Sequence, residues 1–172
     1  MNLNLNELVQ QVNGEFAERF EGRNLDLICI LQPEPLLIRA DSRRIWRVLE
    51  NLYVNVCKYA MPGTRVYVDA IKKDGKIQFS IKNISENPLN FQADELTERF
   101  IRGDVSRSTE GSGLGLSIAK NLTVLQHGTF NIYLDGDLFK VTITFDEAVK
   151  EKKPMSPMIV PEPVQEEAQQ DV

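Results

Sequence analysis

The chain has 172 residues, of which 42% are hydrophobic, so it is long enough to bury the core of one well-packed domain. Its formal net charge of −5 argues against a general nucleic-acid binder, and any attraction for anions must be local. No apolar run reaches the roughly 18 residues of a membrane helix and no secretory leader is present, so we expect a cytoplasmic protein without direct membrane insertion.

The first part of the chain predicts two helices separated by two short strands. These elements are a helix over about residues 6–20, strands or extended segments at 25–31 and 36–40, and a helix over 43–59. Apolar residues four positions apart form the buried stripe of the first helix. Asp41 or Ser42 is the predicted N-cap of the second helix. Cys29 and Cys57 lie in apolar runs and are predicted to be buried free thiols.

The second part predicts two hairpins, separated by a long polar connection and a third helix. The hairpin strands are 65–71 with 77–81, around an Asp-Gly turn, and 129–134 with 138–145. Residues 83–112 are polar and turn-rich, with a short helical piece around 93–100. The third helix follows and ends at His127-Gly128, where the glycine suits the C′ position.

The order of these elements predicts the fold class. We expect an α/β fold, a two-layer α/β sandwich whose mixed sheet is covered on one face by about three helices. The lack of repeated strand–helix alternation argues against a doubly wound parallel sheet. This domain would cover residues 1–146, and residues 147–172, which hold four of the eight prolines among Glu, Lys and Gln, are predicted to be a disordered tail.

Three glycines at alternate positions, Gly111, Gly113 and Gly115, precede the third helix. Without Cβ atoms such a turn lets the backbone approach a ligand closely. The free N–H groups and the dipole of the following helix would stabilise an anion there, which predicts a phosphate cradle and a bound nucleotide. A tight turn that binds nothing is the alternative, and no Gly-Lys-Ser/Thr follows as it would in a Walker loop.

A polar stripe runs along the helix over 43–59, beside its apolar face. Asn51 and Asn55 are one turn apart, and Lys58 and Tyr59 continue the same line. Asparagine is unfavourable inside a helix, so two on one stripe indicate a polar site, although a solvated helix face is the alternative. A carboxamide oxygen suits Mg²⁺, a lysine suits phosphates, and a tyrosine ring can cover a purine.

Three segments of the chain together resemble the sensor histidine kinases. Residues 50–60, Glu-Asn-Leu-Tyr-Val-Asn-Val-Cys-Lys-Tyr-Ala, resemble the asparagine box of that family. Residues 98–104, Glu-Arg-Phe-Ile-Arg-Gly-Asp, resemble its phenylalanine box, and residues 111–120, Gly-Ser-Gly-Leu-Gly-Leu-Ser-Ile-Ala-Lys, resemble its second glycine box. The resemblance covers about residues 5–146. It implies the catalytic ATP-binding domain of the Bergerat fold, which gyrase, a class of heat-shock chaperones and the mismatch-repair ATPases share.

The resemblance implies a role for individual residues. Asn55 would be the Mg²⁺ ligand, with Asn51 beside the phosphates and Lys58 and Tyr59 at the phosphate and adenosine sides. Arg102 would contact a phosphate, although a surface arginine on a loop is an equal alternative. The further nucleotide-binding positions that the resemblance implies are Asn83, Ser85, Phe100, Gly111, Gly113, Leu114, Gly115 and Leu116.

The chain departs from the family pattern at the end of the first hairpin. The family usually has Asp-x-Gly-x-Gly there, and the Asp accepts a hydrogen bond from the adenine amino group. Asn83 occupies the Asp position, and Ser85 and Asn87 occupy the glycine positions. Asn can accept the same bond but lacks the charge that strengthens it, so we expect weakened or altered ATP binding. A nucleotide-binding pseudokinase or interaction module is therefore the alternative function.

The asparagine stripe offers no general base. The related ATPases have a glutamate four residues before the metal asparagine, where this chain has Asn51, and Glu50 is rotated away by about 100°. A neutral histidine offers its lone pair directly and needs less help from a base, so transfer of the γ-phosphoryl group to histidine is favoured over hydrolysis or serine phosphorylation. The accepting histidine would lie on a separate dimerisation hairpin, so this chain alone should not autophosphorylate. The expected partners are that hairpin and a response regulator, in a two-component system whose kinase is membrane-anchored.

Overall fold

The protein consists of a sheet layer and a helix layer, as the element order predicts. The computed structural model describes residues 1–89, 115–149 and 157. The elements in these ranges are β1 (Asn2–Asn4), α1 (Leu5–Gly22), β2 (Asp26–Leu31), β3 (Leu37–Arg39), α2 (Ser42–Tyr59), β4 (Arg65–Lys73), β5 (Lys76–Ile84), α3 (Gly115–Leu125), β6 (Thr129–Asp135) and β7 (Leu138–Asp146).

Five of the strands form one mixed sheet in the order β2-β4-β5-β7-β6. The pairing of β2 with β4 is parallel, and the other three pairings are antiparallel. Both hairpins are therefore confirmed, and their strands are longer than the sequence pattern predicts. Asp74 and Gly75 make the tight turn of the first hairpin with φ values of 52° and 72°, which is the reason for the Asp-Gly pair.

The core lies between this sheet and α1, α2 and α3, the helices of the described ranges. Alternate residues of the central strands point into it because successive side chains of a strand face opposite sides. The inward-facing residues include Val66, Val68, Ala70, Ile77, Phe79, Ile81, Val141, Ile143 and Phe145, all buried. From the helices, α2 contributes Ile45, Val48, Leu49, Leu52 and Val56. The predicted α/β sandwich is confirmed.

Capping side chains determine where the first two helices begin. Asp41 is the N-cap of α2, and its Oδ1 accepts hydrogen bonds from the N–H groups of Arg43 at 2.9 Å and Arg44 at 3.1 Å. Asn4 is the N-cap of α1 and accepts from the N–H of Asn6 at 3.2 Å. The predicted N-cap at Asp41 is confirmed, and the buried apolar face of α2 sets the rotation of the asparagine stripe about the helix axis.

The small sheet of β1 and β3 lies outside the main sheet. The run at 36–40 was predicted as a strand, but its partner Asn2–Asn4 was not. The chain after β7 returns to this sheet, because the N–H of Ala148 donates to Leu37 O at 2.8 Å. The rest of the predicted tail, apart from residue 157, lies outside the described residues, as does the predicted helical piece around 93–100.

Two local predictions were wrong. Cys29 is exposed, because β2 is an edge strand and has a neighbour on one side only, whereas Cys57 is buried. The left-handed residue after α3 is His127, with φ 65°, and not Gly128. Gly128 is needed for another reason, since a Cβ atom there would lie 2.5 Å from Cε1 of Phe145.

Candidate functional site

The asparagine stripe of α2 lies at the border between the core and the surface. Asn55 is buried, with 9% of its surface exposed. Asn51 and Tyr59 are half-buried, and Lys58 is exposed. Asn55 is buried because Leu52 and Val56, the neighbouring apolar positions, pack in the core. The predicted alternative of a fully solvated helix face is excluded for Asn55.

The start of α3 lies against Asn51. Oδ1 of Asn51 is 3.5 Å from the position that a Cβ atom of Gly115 would occupy. Nδ2 of Asn51 donates to Arg47 O at 2.8 Å, which fixes the carboxamide. Leu116, the next residue of α3, is 3% exposed and belongs to the hydrophobic core. The first turn of α3 is therefore held next to the asparagine stripe, with its free N–H groups at that end of the helix.

The end of β5 lies against the end of α2. The N–H of Glu86 donates to Tyr59 O and the N–H of Met61 donates to Ile84 O, both at 2.8 Å. Ser85 forms an isolated bridge with Ala60 in the same place. These bonds bring the predicted positions Asn83 and Ser85 beside the carboxyl end of the helix that carries Asn51 and Asn55.

Asn83 is a buried polar residue at this edge. It is 3% exposed and faces the helix layer, as do Ile77, Phe79 and Ile81 on the same strand. Its Oδ1 is buried and has no hydrogen-bond partner in the described part of the protein. An unsatisfied buried acceptor costs about 1–3 kcal/mol, so its retention favours a ligand that supplies a donor.

Arg23 is a residue of this edge that the sequence analysis missed. Its Nη2 donates to Ala60 O at 3.1 Å and lies 3.5 Å from Oε2 of Glu86. The contact joins the end of α1 to the ends of α2 and β5. No local pattern indicates it, because the partners are 37 and 63 positions away in sequence.

The polar side chains in the described part of the site are mainly carboxamides rather than carboxylates. Within residues 1–89 and 115–149, no group of three or more His, Cys, Asp or Glu side chains could hold a metal ion. Asn55 offers one hard oxygen, and Mg²⁺ characteristically takes few protein ligands and completes its shell with phosphate oxygens and water. The donor set therefore fits a Mg²⁺–nucleotide and not a metal cage. Glu50 is exposed and stands off the stripe, as its position on the helix predicts.

Burial raises pKa values at Tyr53 and Cys57 on α2, where this helix packs against α1, and at Cys29 on β2. Burial raises the pKa of the Tyr53 hydroxyl, and the ring of Tyr53 packs against the rings of Phe16 and Phe20. Burial also raises the pKa of the Cys57 thiol, although Arg19 and Arg23 oppose this shift. Tyr53 and Cys57 belong to the hydrophobic core.

Five of the predicted site residues, Phe100, Arg102, Gly111, Gly113 and Leu114, lie outside the described residues. The others come from three elements, of which α2 contacts both the start of α3 and the end of β5. Asn51, Asn55, Lys58 and Tyr59 come from α2, Asn83 and Ser85 from the end of β5, and Gly115 and Leu116 from the start of α3. Within the described ranges no helix is long and apolar enough to cross a membrane.

Comparisons with known proteins agree with this geometry. A family model described as histidine kinase-, DNA gyrase B-, and HSP90-like ATPase matches residues 40–150. The signal transduction histidine-protein kinase BaeS of Escherichia coli (strain K12) is 30% identical over 123 residues, which are 70% of this chain and 26% of that protein. The chain thus spans about a quarter of the length of this curated relative.

Solved structures show the same architecture. The catalytic domain of the histidine kinase ThkA, in a nucleotide-free form, has a TM-score of 0.74 and 25% sequence identity, over 86% of this chain and 95% of that one. ThkA in complex with the response regulator protein TrrA has a TM-score of 0.69 and 23% identity, over 86% of this chain and 42% of that one.

Proposed function

Because the chain belongs to the family of histidine kinase-, DNA gyrase B- and HSP90-like ATPases, we propose that it is the ATP-binding catalytic domain of a two-component sensor histidine kinase. The resemblance of the three sequence motifs to this family is confirmed. The proposal covers the activity of the whole kinase, of which this chain corresponds to a part. Its reaction would be transfer of the γ-phosphoryl group of ATP to a histidine.

The proposal rests on the contacts that α2 makes with both the start of α3 and the end of β5. The polar stripe of α2 meets the N-terminal turn of α3 and the end of β5, through the contact of Asn51 with Gly115 and the bond from Glu86 to Tyr59. A nucleotide needs all three features: an anion site for phosphates, a hard oxygen for Mg²⁺ and a polar edge for the base.

Each residue then has a defined task. Asn55 would hold Mg²⁺, which when bound would neutralise charge on the phosphates. Asn51 positions the phosphates beside the first N–H groups of α3, and Lys58, which is exposed, adds a mobile positive charge. Tyr59 packs at the adenosine side. Catalysis consists of positioning and electrostatic stabilisation, since the stripe holds no base.

The missing base supports a histidine as the acceptor. Water or a serine hydroxyl must lose a proton on attack, whereas a neutral imidazole nitrogen attacks through its lone pair. Glu50, the acidic residue of α2, is exposed and off the stripe that carries Asn51 and Asn55. We therefore propose that the chain acts on a histidine of a separate dimerisation hairpin and shows almost no hydrolysis alone.

The proposed partners follow from this reaction. A phosphorylated histidine passes its group to a response regulator, and the solved relative ThkA is seen with the response regulator TrrA. No nucleic acid is expected at a site on a chain of net charge −5. We propose a cytoplasmic location, as the catalytic part of a kinase that is anchored in a membrane elsewhere.

Calorimetry with Mg²⁺ and a non-hydrolysable ATP analogue tests the proposal. We expect Asn55→Ala to abolish the Mg²⁺-dependent part of binding, at least about tenfold in affinity, since it removes the only proposed metal ligand. Asn131→Ala is the matched control, because it removes a carboxamide that is exposed on β6. Equal binding by both variants would refute the metal site. Binding without phosphoryl transfer to a supplied histidine hairpin would indicate the pseudokinase alternative instead.

A further inference from the structure

The end of β5 carries two side chains that can either donate or accept a hydrogen bond. Asn83 and Ser85 are two positions apart, and both are buried, with 3% and 6% of their surface exposed. The carboxamide of Asn83 has an oxygen acceptor and an N–H donor, and a serine hydroxyl can do both. A carboxylate at position 83 would only accept. These two side chains can therefore bind either a donor or an acceptor of a ligand, whereas a carboxylate would bind only a donor.

No hydrogen bond within the described part of the protein holds the carboxamide of Asn83 in one of its two orientations. Its Oδ1 has no partner, and its Nδ2 makes no hydrogen bond to any residue that the structure describes. Asn6 is the internal comparison. Its Oδ1 is likewise unpartnered, but its Nδ2 donates to Gln32 O at 2.9 Å and to Glu34 O at 3.0 Å, which locks the amide in one orientation. Asn83 differs from Asn6 because no hydrogen bond from its Nδ2 fixes the amide, so a ligand can meet either its oxygen or its N–H group.

Purine bases differ at the atoms that such an amide would meet. Adenine presents an amino donor at position 6 and an acceptor at N1. Hypoxanthine and guanine present a carbonyl acceptor at position 6 and an N–H donor at N1. A carboxylate accepts from the amino group and repels the carbonyl, whereas a rotating carboxamide can satisfy either arrangement.

We propose that Asn83 makes the nucleotide site tolerant of 6-oxopurine nucleoside triphosphates, so that it binds them about as well as ATP. This inference rests on the proposed function, because it assumes that a purine nucleotide occupies the site. Asn83 is the specificity-determining residue, and Ser85, on the same face, supports either orientation of the base edge through its hydroxyl group. The two modes of binding differ only by a half-turn of the Asn83 amide group.

The test compares ATP with inosine triphosphate, which carries hypoxanthine and differs from ATP only at this edge of the base. Calorimetry on the unaltered 172-residue chain with Mg²⁺ should give dissociation constants within about fivefold of each other. Inosine triphosphate avoids the additional 2-amino group of guanine. Binding of ATP with no detectable binding of inosine triphosphate would overturn the inference and leave the proposed function standing. If neither nucleotide binds, the proposed function fails and the inference with it.

Asn83→Asp provides the second arm. The charged acceptor should favour ATP over inosine triphosphate by at least about tenfold, because hydrogen bonds to charged groups are stronger and the 6-carbonyl is repelled. Asn131→Asp makes the same chemical change at an exposed position on β6 and should leave the ratio unchanged. An unaltered ratio in a folded Asn83→Asp variant would also overturn the inference. The ratio for the unaltered chain remains decisive if burial of a carboxylate prevents Asn83→Asp from folding.

Discussion

The carboxamide of Asn51 lies directly in front of Gly115, the first residue of α3. Oδ1 of Asn51 is 3.5 Å from the position of a Cβ atom on Gly115, which is an ordinary van der Waals distance. A methyl group therefore fits at position 115, and we expect a longer side chain to press against Asn51. This contact limits how closely the first turn of α3 can approach the asparagine stripe of α2.

We expect Gly115→Ala to retain nucleotide affinity within about threefold, because its methyl group fits without displacing Asn51. Gly115→Leu should lower the affinity for Mg²⁺–ATP at least about tenfold, since it pushes α3 away from Asn51. Calorimetry measures both. Asn121→Leu, at an exposed position of the same helix, is the control for an added leucine. If Gly115→Leu binds as tightly as Gly115→Ala, the contact is not part of the site.

Local signals in the sequence were sufficient to predict the element that carries the site. The helix over 43–59 is found as Ser42–Tyr59, because a capping Asp41 and a three-four apolar spacing both act within a few residues. The relative placement of Asn51 and Asn55 followed from helical geometry alone. The Asp-Gly turn fixed the first hairpin for the same reason.

The remaining parts of the site depend on contacts between distant residues. The bridge from Arg23 to Ala60, and the sheet between β1 and β3, join segments that have no common pattern in sequence. The unpartnered state of Asn83 also depends on what surrounds it, so the sequence could show only that an amide replaces a carboxylate. The exposure of Cys29 follows from the edge position of β2, which the strand order determines.

Gly128 should be intolerant of any side chain. A Cβ atom there would lie 2.5 Å from Cε1 of Phe145 and 2.9 Å from Cγ2 of Thr123. Both neighbours are buried, so they have little room to shift. We expect Gly128→Ala to lower the free energy of unfolding by about 1–3 kcal/mol in urea denaturation. Gly14→Ala is the contrasting control, because nothing lies within 4 Å of its Cβ position and alanine favours a helix by about 0.5–1 kcal/mol.

His127 occupies the left-handed position at the end of α3, with φ 65°. Its N–H donates to Val124 O and the N–H of Gly128 donates to Thr123 O, both at 3.0 Å, which is the Schellman arrangement. A side chain in this conformation is strained, so His127→Gly should raise the free energy of unfolding by about 0.5–1 kcal/mol. His127→Ala keeps the strain and is the control. Equal stability of the two variants would show that position 127 carries no strain.

Tyr53 should make stability depend on alkaline pH. Its side chain is fully buried and its hydroxyl donates to Oδ1 of Asn13, and burial raises its pKa far above the ordinary value. Since the folded state holds this proton more tightly than the unfolded state, the contribution is complete below the unfolded pKa of about 10 and is lost as the pH rises above it. The slope is at most about 1.4 kcal/mol per pH unit.

Tyr53→Phe separates this contribution from other alkaline effects. We expect this substitution to lower the free energy of unfolding by about 0.5–1.5 kcal/mol at neutral pH, because the hydrogen bond to Asn13 is lost. Above about pH 10, the free energy of unfolding of the variant should fall less steeply with pH than that of the unaltered chain. Urea denaturation between pH 7 and pH 11 measures both effects. Tyr133→Phe, at a position that is 55% exposed, should keep the steep slope of the unaltered chain. Parallel curves for the unaltered chain and Tyr53→Phe would mean that Tyr53 does not couple folding to pH.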